Sequence, residues 1–364
     1  DMSRINVDIK KVAIIGSHGL YANYGGWDQL VINLAERNQN FKYLIFNSRD
    51  SNKNFKIPKG SKVIFMPLKA SGLEGIFYDF LSIIIAYIKG CRTLLLLGNQ
   101  GIPIIPFLRI FGKKNIVTNI GGIEWEREKF NSLQKMYLRI AFYISKKYSS
   151  HLIFDNQHFI DLISKHEDDV FLKKLNVIPY GGDLDYKGNI DELKEKYPFI
   201  TSDYFLTVSR AIPDNQIIEV IEAFRNSDKL LVVISNLSTS NYGKEILKRY
   251  NNRKNILLID GLYNKTELDT IRRNAGCYIH THSTCGSAPS LIEMIHARIP
   301  IIAFDVPQNR YTLKNSGWYF KNFKELKTHV QNQSNFHEAL PEEKLKERYL
   351  WKNIIKEYEA LFVC

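Results

Sequence analysis

Residues 11–37, KVAIIGSHGLYANYGGWDQLVINLAER, hold the pattern on which the fold turns. Lys11 to Gly16 is a short apolar run closed by glycine, the form of a buried parallel strand that opens a βα unit. A loop with Gly19, Gly25 and Gly26 follows. From Trp27 to Arg37 the apolar residues Leu30, Val31, Leu34 and Ala35 recur at helical spacing. Further apolar runs at Tyr43–Phe46, Lys62–Phe65, Thr93–Leu97, Asn115–Val117 and His151–Phe154 are separated by helix-length segments, which makes a doubly wound α/β pattern. The pattern repeats after Pro179, with strands expected at Tyr204–Val208, Leu230–Ile234, Asn255–Ile259, Cys277–His280 and Pro300–Phe304. The sequence therefore predicts two Rossmann-like domains. Proline and paired glycines in VIPYGG (Val177–Gly182) mark the join. The expected divisions are an N-terminal domain of residues 1–180, a C-terminal domain of 181–340, and a segment 341–364 whose amphipathic helix can cross back to the first domain.

Length and composition agree with this reading. A chain of 364 residues exceeds what one hydrophobic core usually supports. Apolar residues at 45% and charged residues at 24% give each half enough to bury, which excludes a disordered chain. Cys91, Cys277, Cys285 and Cys364 are widely spaced, with no CxxC pair and no Cys/His ligand spacing, so free thiols in a reducing compartment are expected. No export pattern follows the first residues. The most apolar stretch, Phe80–Ile88, falls short of the ~20 residues a membrane span needs and is expected to be a helix. The net charge of +12 is unevenly placed: residues 1–180 hold 25 Lys and Arg against 15 Asp and Glu, and residues 181–364 hold 25 against 23. Such a field suits anionic lipid, a diphosphate-bearing acceptor or nucleic acid, or is simply a lysine-rich solvated surface.

Four places carry candidate chemistry. Gly25-Gly26 directly precede a helix, where unsubstituted backbone admits a phosphate to N–H groups at the positive end of the helix dipole; a purely conformational role is the alternative. Gly286–Glu293 (GSAPSLIE) repeats the arrangement in the second half, with Glu293 about two turns in, either as an acceptor of sugar hydroxyl hydrogen bonds or as a solvated glutamate. Arg210 follows the strand Tyr204–Val208 at its carboxyl end, where open α/β sheets bind ligands; it either grips a diphosphate or pairs with Asp214. His280 and His282 share strand parity, but no third ligand stands near, so hydrogen bonding is expected rather than metal binding.

Five ordered segments carry a family resemblance: IIGSHGLYANYGGWDQLVINLA (Ile14–Ala35), NIGGIEWEREKF (Asn119–Phe130), VIPYGGD (Val177–Asp183), SRAIPDN (Ser209–Asn215) and YIHTHSTCGSAPSLIEMIHARIPIIAFDVPQNR (Tyr278–Arg310). Together they resemble the family-4 retaining glycosyltransferases, in particular the bacterial rhamnosyltransferases that build capsule, O-antigen and cell-wall polysaccharides. The resemblance implies a GT-B fold, α/β with two Rossmann-like domains facing across a cleft. The C-terminal domain would hold a nucleotide diphosphate sugar and the N-terminal domain an acceptor. It implies that Gly25 and Gly26 approach the diphosphate, that Arg210 neutralises it, and that Glu293 binds the ribose hydroxyls. Gly286, Ser287, Pro289 and Ser290 would line the phosphate or sugar, with Asn215 beside them. It further implies neither cofactor nor metal, and front-face displacement in which the leaving phosphate oxygen takes the acceptor proton. Glu124 and Arg127 would position the acceptor, with Asp155 and Asn156 behind them; Glu124 paired with Arg127 is the alternative. Arg210, Glu293 and Glu124 are thus the candidate catalytic set.

Three departures from the broader family bear on the donor. Cys285 stands where the first of two glutamates is usual, Asn215 where a lysine is usual, and Gly121 where a histidine is common. A pocket without those groups suits a 6-deoxyhexose, which has a methyl group to bury in place of the O6 hydroxyl. The expected function is transfer of rhamnose from dTDP-rhamnose to a lipid-diphosphate-linked saccharide. The expected location is cytoplasmic, peripheral on an anionic membrane surface, with no nucleic acid partner. The alternatives are the same fold with a UDP- or GDP-hexose, and a non-catalytic polyanion- or membrane-binding module. A nicotinamide dehydrogenase fits poorly, because the glycine spacing is not GxGxxG and no acidic residue closes a plausible second strand.

Overall fold

The computed structural model describes residues 10–22, 25–38, 40–126, 130–184, 189–332 and 336–363. The chain divides into two compact units, Asp1–Tyr180 with Trp351–Cys364, and Gly181–Leu350.

The first unit holds seven parallel strands: β1 (Lys11–Ile15), β2 (Lys42–Asn47), β3 (Ser61–Phe65), β4 (Thr93–Leu97), β5 (Asn115–Gly121), β6 (His151–Phe154) and β7 (Leu175–Val177). Their order is β3-β2-β1-β4-β5-β6-β7. Central strands are buried on both faces, as helices on either side of a parallel sheet require; every residue of β4 is buried. Val12 and Ile14 pack with the helix Gly26–Glu36 and the terminal helix Trp351–Phe362. Ala13 and Ile15 face the opposite layer, built on the helices Gly72–Ile88 and Ser132–Tyr148. The terminal helix is tied to the sheet by polar bonds as well: Asn119 Nδ2 donates to the Tyr358 hydroxyl at 2.6 Å, and Asn115 Nδ2 to the Leu361 carbonyl at 2.8 Å.

The second unit holds six parallel strands: β8 (Tyr204–Val208), β9 (Leu230–Ser235), β10 (Ile256–Asp260), β11 (Cys277–His280), β12 (Ile301–Phe304) and β13 (Trp318–Phe320), in the order β10-β9-β8-β11-β12-β13. Cys277 and Ile279 point into one core, which also contains Phe205, Val233 and Ile302.

Two features differ from the expected organisation. β7 and β13, three residues each at a sheet edge, are absent from the expected strands. Residues 341–350 do not go with the terminal helix but belong to the second unit. They are anchored there by buried Leu345 and by the Tyr349 hydroxyl, which donates to the Thr312 carbonyl at 2.9 Å. The apolar stretch Phe80–Ile88 lies within the helix Gly72–Ile88, and no helix among the described residues is long and apolar enough to cross a membrane. Cys91, Cys277 and Cys285 are in no disulfide; Cys364 lies outside the described residues.

Candidate active site

Each strand order reverses once, between β1 and β4 in the first unit and between β8 and β11 in the second. In open α/β sheets, loops leaving the carboxyl ends of the strands on either side of such a reversal form the ligand crevice. Gly25 and Gly26 follow β1, Arg210 follows β8 and Gly286–Ser290 follow β11 on such loops, whereas Glu124 follows β5, and Asp155 and Asn156 follow β6, one and two strands away.

In the second unit, Arg210 sits two residues past the end of β8, exposed at the head of a pinned loop. The Ala211 amide donates to Asn236 Oδ1 at 2.8 Å, the Ser240 hydroxyl donates to the Ala211 carbonyl at 2.6 Å, and Asn215 Nδ2 donates to the Arg210 carbonyl at 2.8 Å. The guanidinium has no ion-pair partner among the described residues, so the alternative pairing with Asp214 is not made. An exposed cation on a fixed backbone is thus presented at the switch point. The sequence places Asn215 among the donor contacts, but in the fold it is 4% exposed, its amide turned under the Arg210 loop, while Thr281 Oγ1 donates to its carbonyl at 2.6 Å. Asn215 joins the β8 loop to the β11 loop. Its side-chain amide holds the Arg210 backbone.

The loop after β11 runs through buried Gly286 and Ser287 into the helix Pro289–Ala297. Pro289 takes the first helical position, where its missing N–H costs nothing, and Ala288 caps the helix without a side-chain bond. Ser290 bonds the hydroxyl of Tyr278, which burial pushes up to about 12. Glu293 is neither solvated nor lone. Its carboxylate pairs with Arg272, whose other terminal nitrogen bonds Asp269 Oδ1 at 3.0 Å, and Lys265 closes the series on Asp269. Arg272 and Asp269 side chains are 5% and 0% exposed, against 22% for Glu293. Burial raises the Glu293 pKa and the Arg272 charge opposes it. Arg272, which the sequence reading passes over, therefore fixes the orientation of the one carboxylate in this loop and helix. An i, i+3 acid–base pair (Asp269, Arg272) on a helix is a weak signal, because most such pairs lie on solvated faces.

The expectation that His280 and His282 are hydrogen-bonded fails, among the described residues, for both ring nitrogens of His280 and for Nδ1 of His282. His280 is 0% exposed, and neither of its nitrogens has a partner; Nδ1 of His282 is also buried without one. The two rings stack with centroids 4.7 Å apart, 11° from parallel. Burial lowers both pKa values; for His282, with the Arg210 charge adding to the effect, it is pushed down to about 4. Both imidazoles are neutral at physiological pH, close to the one exposed cation of the loop. Among the described residues no group of three or more His, Cys, Asp or Glu side chains is arranged to hold a metal ion.

In the first unit the three glycines of the β1 loop separate by physical cause. Gly16 has φ +99° and a Cβ there would lie 2.2 Å from the Leu97 carbonyl oxygen; Gly19 has φ +116° and its Cβ would lie 2.3 Å from the Asn47 side chain. Both are required by the chain's own packing. Gly25 is extended at φ −164°, and a Cβ there would meet nothing within 4 Å. Gly25 is the N-cap of the helix Gly26–Glu36, a place glycine favours, but neither its backbone angle nor its packing excludes a side chain, and the space beside it is open to a ligand. Beneath it, buried Asp28 accepts from the His18 amide at 3.0 Å and the Gly25 amide at 3.3 Å, holding the loop closed. The Trp27 ring lies against the β4 and β5 ends: Cβ positions built on Gly98 and Gly121 would be 3.3 and 3.5 Å from it.

Glu124 opens a single turn Glu124–Glu126 just past β5. The turn is anchored by Trp125, 8% exposed and packed on Phe142 with centroids 4.6 Å apart. Asp155 follows β6, and its amide donates to the Gly121 carbonyl at 3.1 Å, so Asp155 and the Glu124 turn share the β5 end. Asn156 does not join them as an acceptor contact: it is 0% exposed, and its Oδ1 caps the helix Gln157–Ile163 by accepting the His158 amide at 3.0 Å. Arg127 lies outside the described residues.

Residues 9–183 match the family model described as Domain of unknown function (DUF1972), and residues 189–331 match Glycosyl transferases group 1. No curated protein matches the chain in sequence. Among solved structures, the chain is similar to sucrose-phosphate synthase from Thermosynechococcus elongatus, with TM-score 0.76 and 14% identity over 97% of this chain and 98% of that one. It is also similar to HepE from Anabaena in complex with UDP and glucose, with TM-score 0.74 and 13% identity over 98% of this chain and 100% of that one. The fold is GT-B. The class that this fold and the group 1 match in the second unit define is that of the GT-B glycosyltransferases.

Proposed function

We propose that the protein moves a sugar from a nucleotide diphosphate donor held by the second unit to an acceptor held by the first. The observation that carries this reading is Arg210, whose guanidinium has no ion-pair partner among the described residues and whose backbone is held at the β8–β11 switch point of the unit that matches group 1 glycosyl transferases. A diphosphate offers it two charged oxygens, and stabilising the leaving diphosphate is what glycosyl transfer needs most. Neutral His280 and His282 beside it leave that positive charge to one side chain. In the proposed reaction the bond from the anomeric carbon to the diphosphate breaks, the acceptor hydroxyl attacks from the same face, and the departing phosphate oxygen takes its proton. Retention follows, and neither metal nor general base is required. Glu293, oriented by Arg272, receives the ribose hydroxyls; Gly25 gives the diphosphate room from the first unit; Glu124 and Asp155 position the acceptor.

The donor we favour is dTDP-rhamnose. Cys285, where the family commonly has glutamate, removes a hydroxyl contact that a 6-deoxy sugar does not need. A UDP-hexose is the second reading, favoured by the binding of UDP and glucose by HepE. The acceptor we favour is a lipid-diphosphate-linked saccharide of surface polysaccharide synthesis, reached from a peripheral position on an anionic membrane, in keeping with the basic N-terminal half. Incubating the purified protein with lipid extract and radiolabelled dTDP-rhamnose, UDP-glucose or GDP-mannose tests the reading. Label entering the lipid phase from dTDP-rhamnose alone supports it, label from UDP-glucose alone replaces the donor, and none from any donor counts against transfer to lipid.

A further inference from the structure

The helix layer on one face of the first unit's sheet is apolar on both of its sides. Its inner side supplies Tyr78, Ile83, Ile102, Ile105 and Ala141 to the core. Its outer side should be polar, yet on the helix Ser132–Tyr148 the exposed residues Leu133, Met136, Ile140 and Tyr143 recur at i, i+3, i+7 and i+10, a single outward stripe. Beside it Phe107, Ile110 and Phe111 are 73%, 81% and 71% exposed, and Phe77 and Ile88 continue the surface on the helix Gly72–Ile88. These segments form one layer. The Tyr137 hydroxyl donates to the Gln100 carbonyl at 2.5 Å, Arg109 lies over the Tyr148 ring at 5.2 Å, and Lys114 lies over the Tyr87 ring at 5.3 Å. The second unit exposes only Tyr263 and Leu340 of comparable size among its described residues. Contiguous exposed apolar surface of this kind marks an interaction site.

Charge decides what it meets. The helix Ser132–Tyr148 carries Lys135, Arg139 and Lys147 and no acidic residue; its fourth cation, Lys146, is neutralised by Glu167. Just past Phe111, Lys113 and Lys114 join Lys10 and Arg92 around a cavity of about 320 Å³. A second copy of the chain docking here by two-fold symmetry would set these cations against themselves. An anionic bilayer takes both components: apolar side chains enter the boundary between headgroups and acyl chains while lysines and arginines meet phosphates.

We propose that this face is the protein's membrane-docking surface and that its partner is a bilayer rich in anionic phospholipid. The inference rests on the lipid-linked acceptor reading and gives it a location on the molecule; vesicle binding requires no donor or turnover, so the two fail separately. The test is co-sedimentation of the full chain with vesicles of phosphatidylglycerol and phosphatidylethanolamine, and with pure phosphatidylcholine vesicles, at low and high salt. Expected are binding to the anionic vesicles alone, weakening with salt, and a loss of at least tenfold in Phe107→Ser/Ile140→Glu and in Lys113→Glu/Lys114→Glu. Because the substituted apolar side chains are exposed, the first variant should keep its melting temperature and its shift with nucleoside diphosphate, which separates lost docking from lost folding. Absence of binding to anionic vesicles, wild-type binding by both variants, or a concentration-dependent dimer that the first variant abolishes would overturn the proposal.

Discussion

Replacing Gly25 by alanine adds a methyl group that, its chain neighbours aside, meets no atom of the described residues within 4 Å, at a φ of −164° that any residue adopts. The folded state has little to lose. Alanine is a poorer helix cap than glycine, but it also restricts the unfolded chain, so the two effects leave stability within about 1 kcal/mol, or about 2–4 °C in melting temperature. Gly16→Ala is the control. Its Cβ would stand 2.2 Å from the Leu97 carbonyl oxygen at a φ of +99°, so backbone strain and displaced packing together cost about 3 kcal/mol or more. If the diphosphate approaches Gly25, the methyl group occupies its path, and displacing a donor by about 1 Å lowers kcat/KM by on the order of a hundredfold. Initial rates at subsaturating donor, set beside thermal melts, read both quantities. The expected pattern is a stable Gly25→Ala with kcat/KM lowered about a hundredfold and an unstable Gly16→Ala. A Gly25→Ala enzyme within threefold of wild type would refute the claim that the open space at Gly25 serves the donor.

Other substitutions test the second unit and the core. Asn215→Ala frees the Arg210 loop and should weaken donor binding about tenfold in calorimetry, yet cost nothing further in an Arg210→Ala background, because both changes act through the same guanidinium; an additive loss would mean that Asn215 acts on its own. Arg272→Ala leaves buried Asp269 facing Glu293 without their shared cation and should lower stability by about 3–5 kcal/mol, read from denaturant melts; a loss under 1 kcal/mol would show the pair to be dispensable. Burial raises Asp79 to about 7 from an ordinary 3.8. The native state then keeps a proton that the unfolded state releases, so this group's stabilisation is full below about pH 4 and is lost as pH rises through 7. Asp79→Asn should therefore stabilise the protein at pH 8, by up to about 4 kcal/mol, and change little at pH 4. An equal effect at both values would contradict the assignment.

The strands of both sheets were legible because parallel strands covered on both faces must be continuous apolar runs, as Leu94–Leu97 and Leu231–Ile234 are. β7 and β13 escaped because edge strands of three residues, mostly half-buried apart from Phe320, leave no run to see. Arg210 could be found from the rule that ligands meet the carboxyl ends of strands. Its partners could not. Asn215 and Asn156 lie where a contact residue would lie, but a short amide is as apt to bond the backbone beside it. For Asn156 the signal was present, an asparagine directly before a helix, which is a cap signature. Arg272 reaches Glu293 only through the packing of two helices, which no local pattern contains. The β1 loop glycines look alike in sequence; only φ and the space around a built Cβ distinguish Gly16 and Gly19, needed by the fold, from Gly25, which the fold does not need.

Thermal-shift titration of the wild-type protein and Arg210→Ala with dTDP, UDP and GDP tests most directly the claim that the β8–β11 switch point grips a nucleoside diphosphate. A ligand bound only by the native state adds about 2.7 kcal/mol of stability at a hundred times its Kd. The account predicts that at least one diphosphate, dTDP foremost, raises the wild-type melting temperature. Arg210→Ala should melt at the wild-type temperature without ligand, since its guanidinium has no ion-pair partner among the described residues to lose, and should need about ten- to a hundredfold more nucleotide for the same shift. No shift with any of the three nucleotides, or the same shift in both proteins, would contradict it.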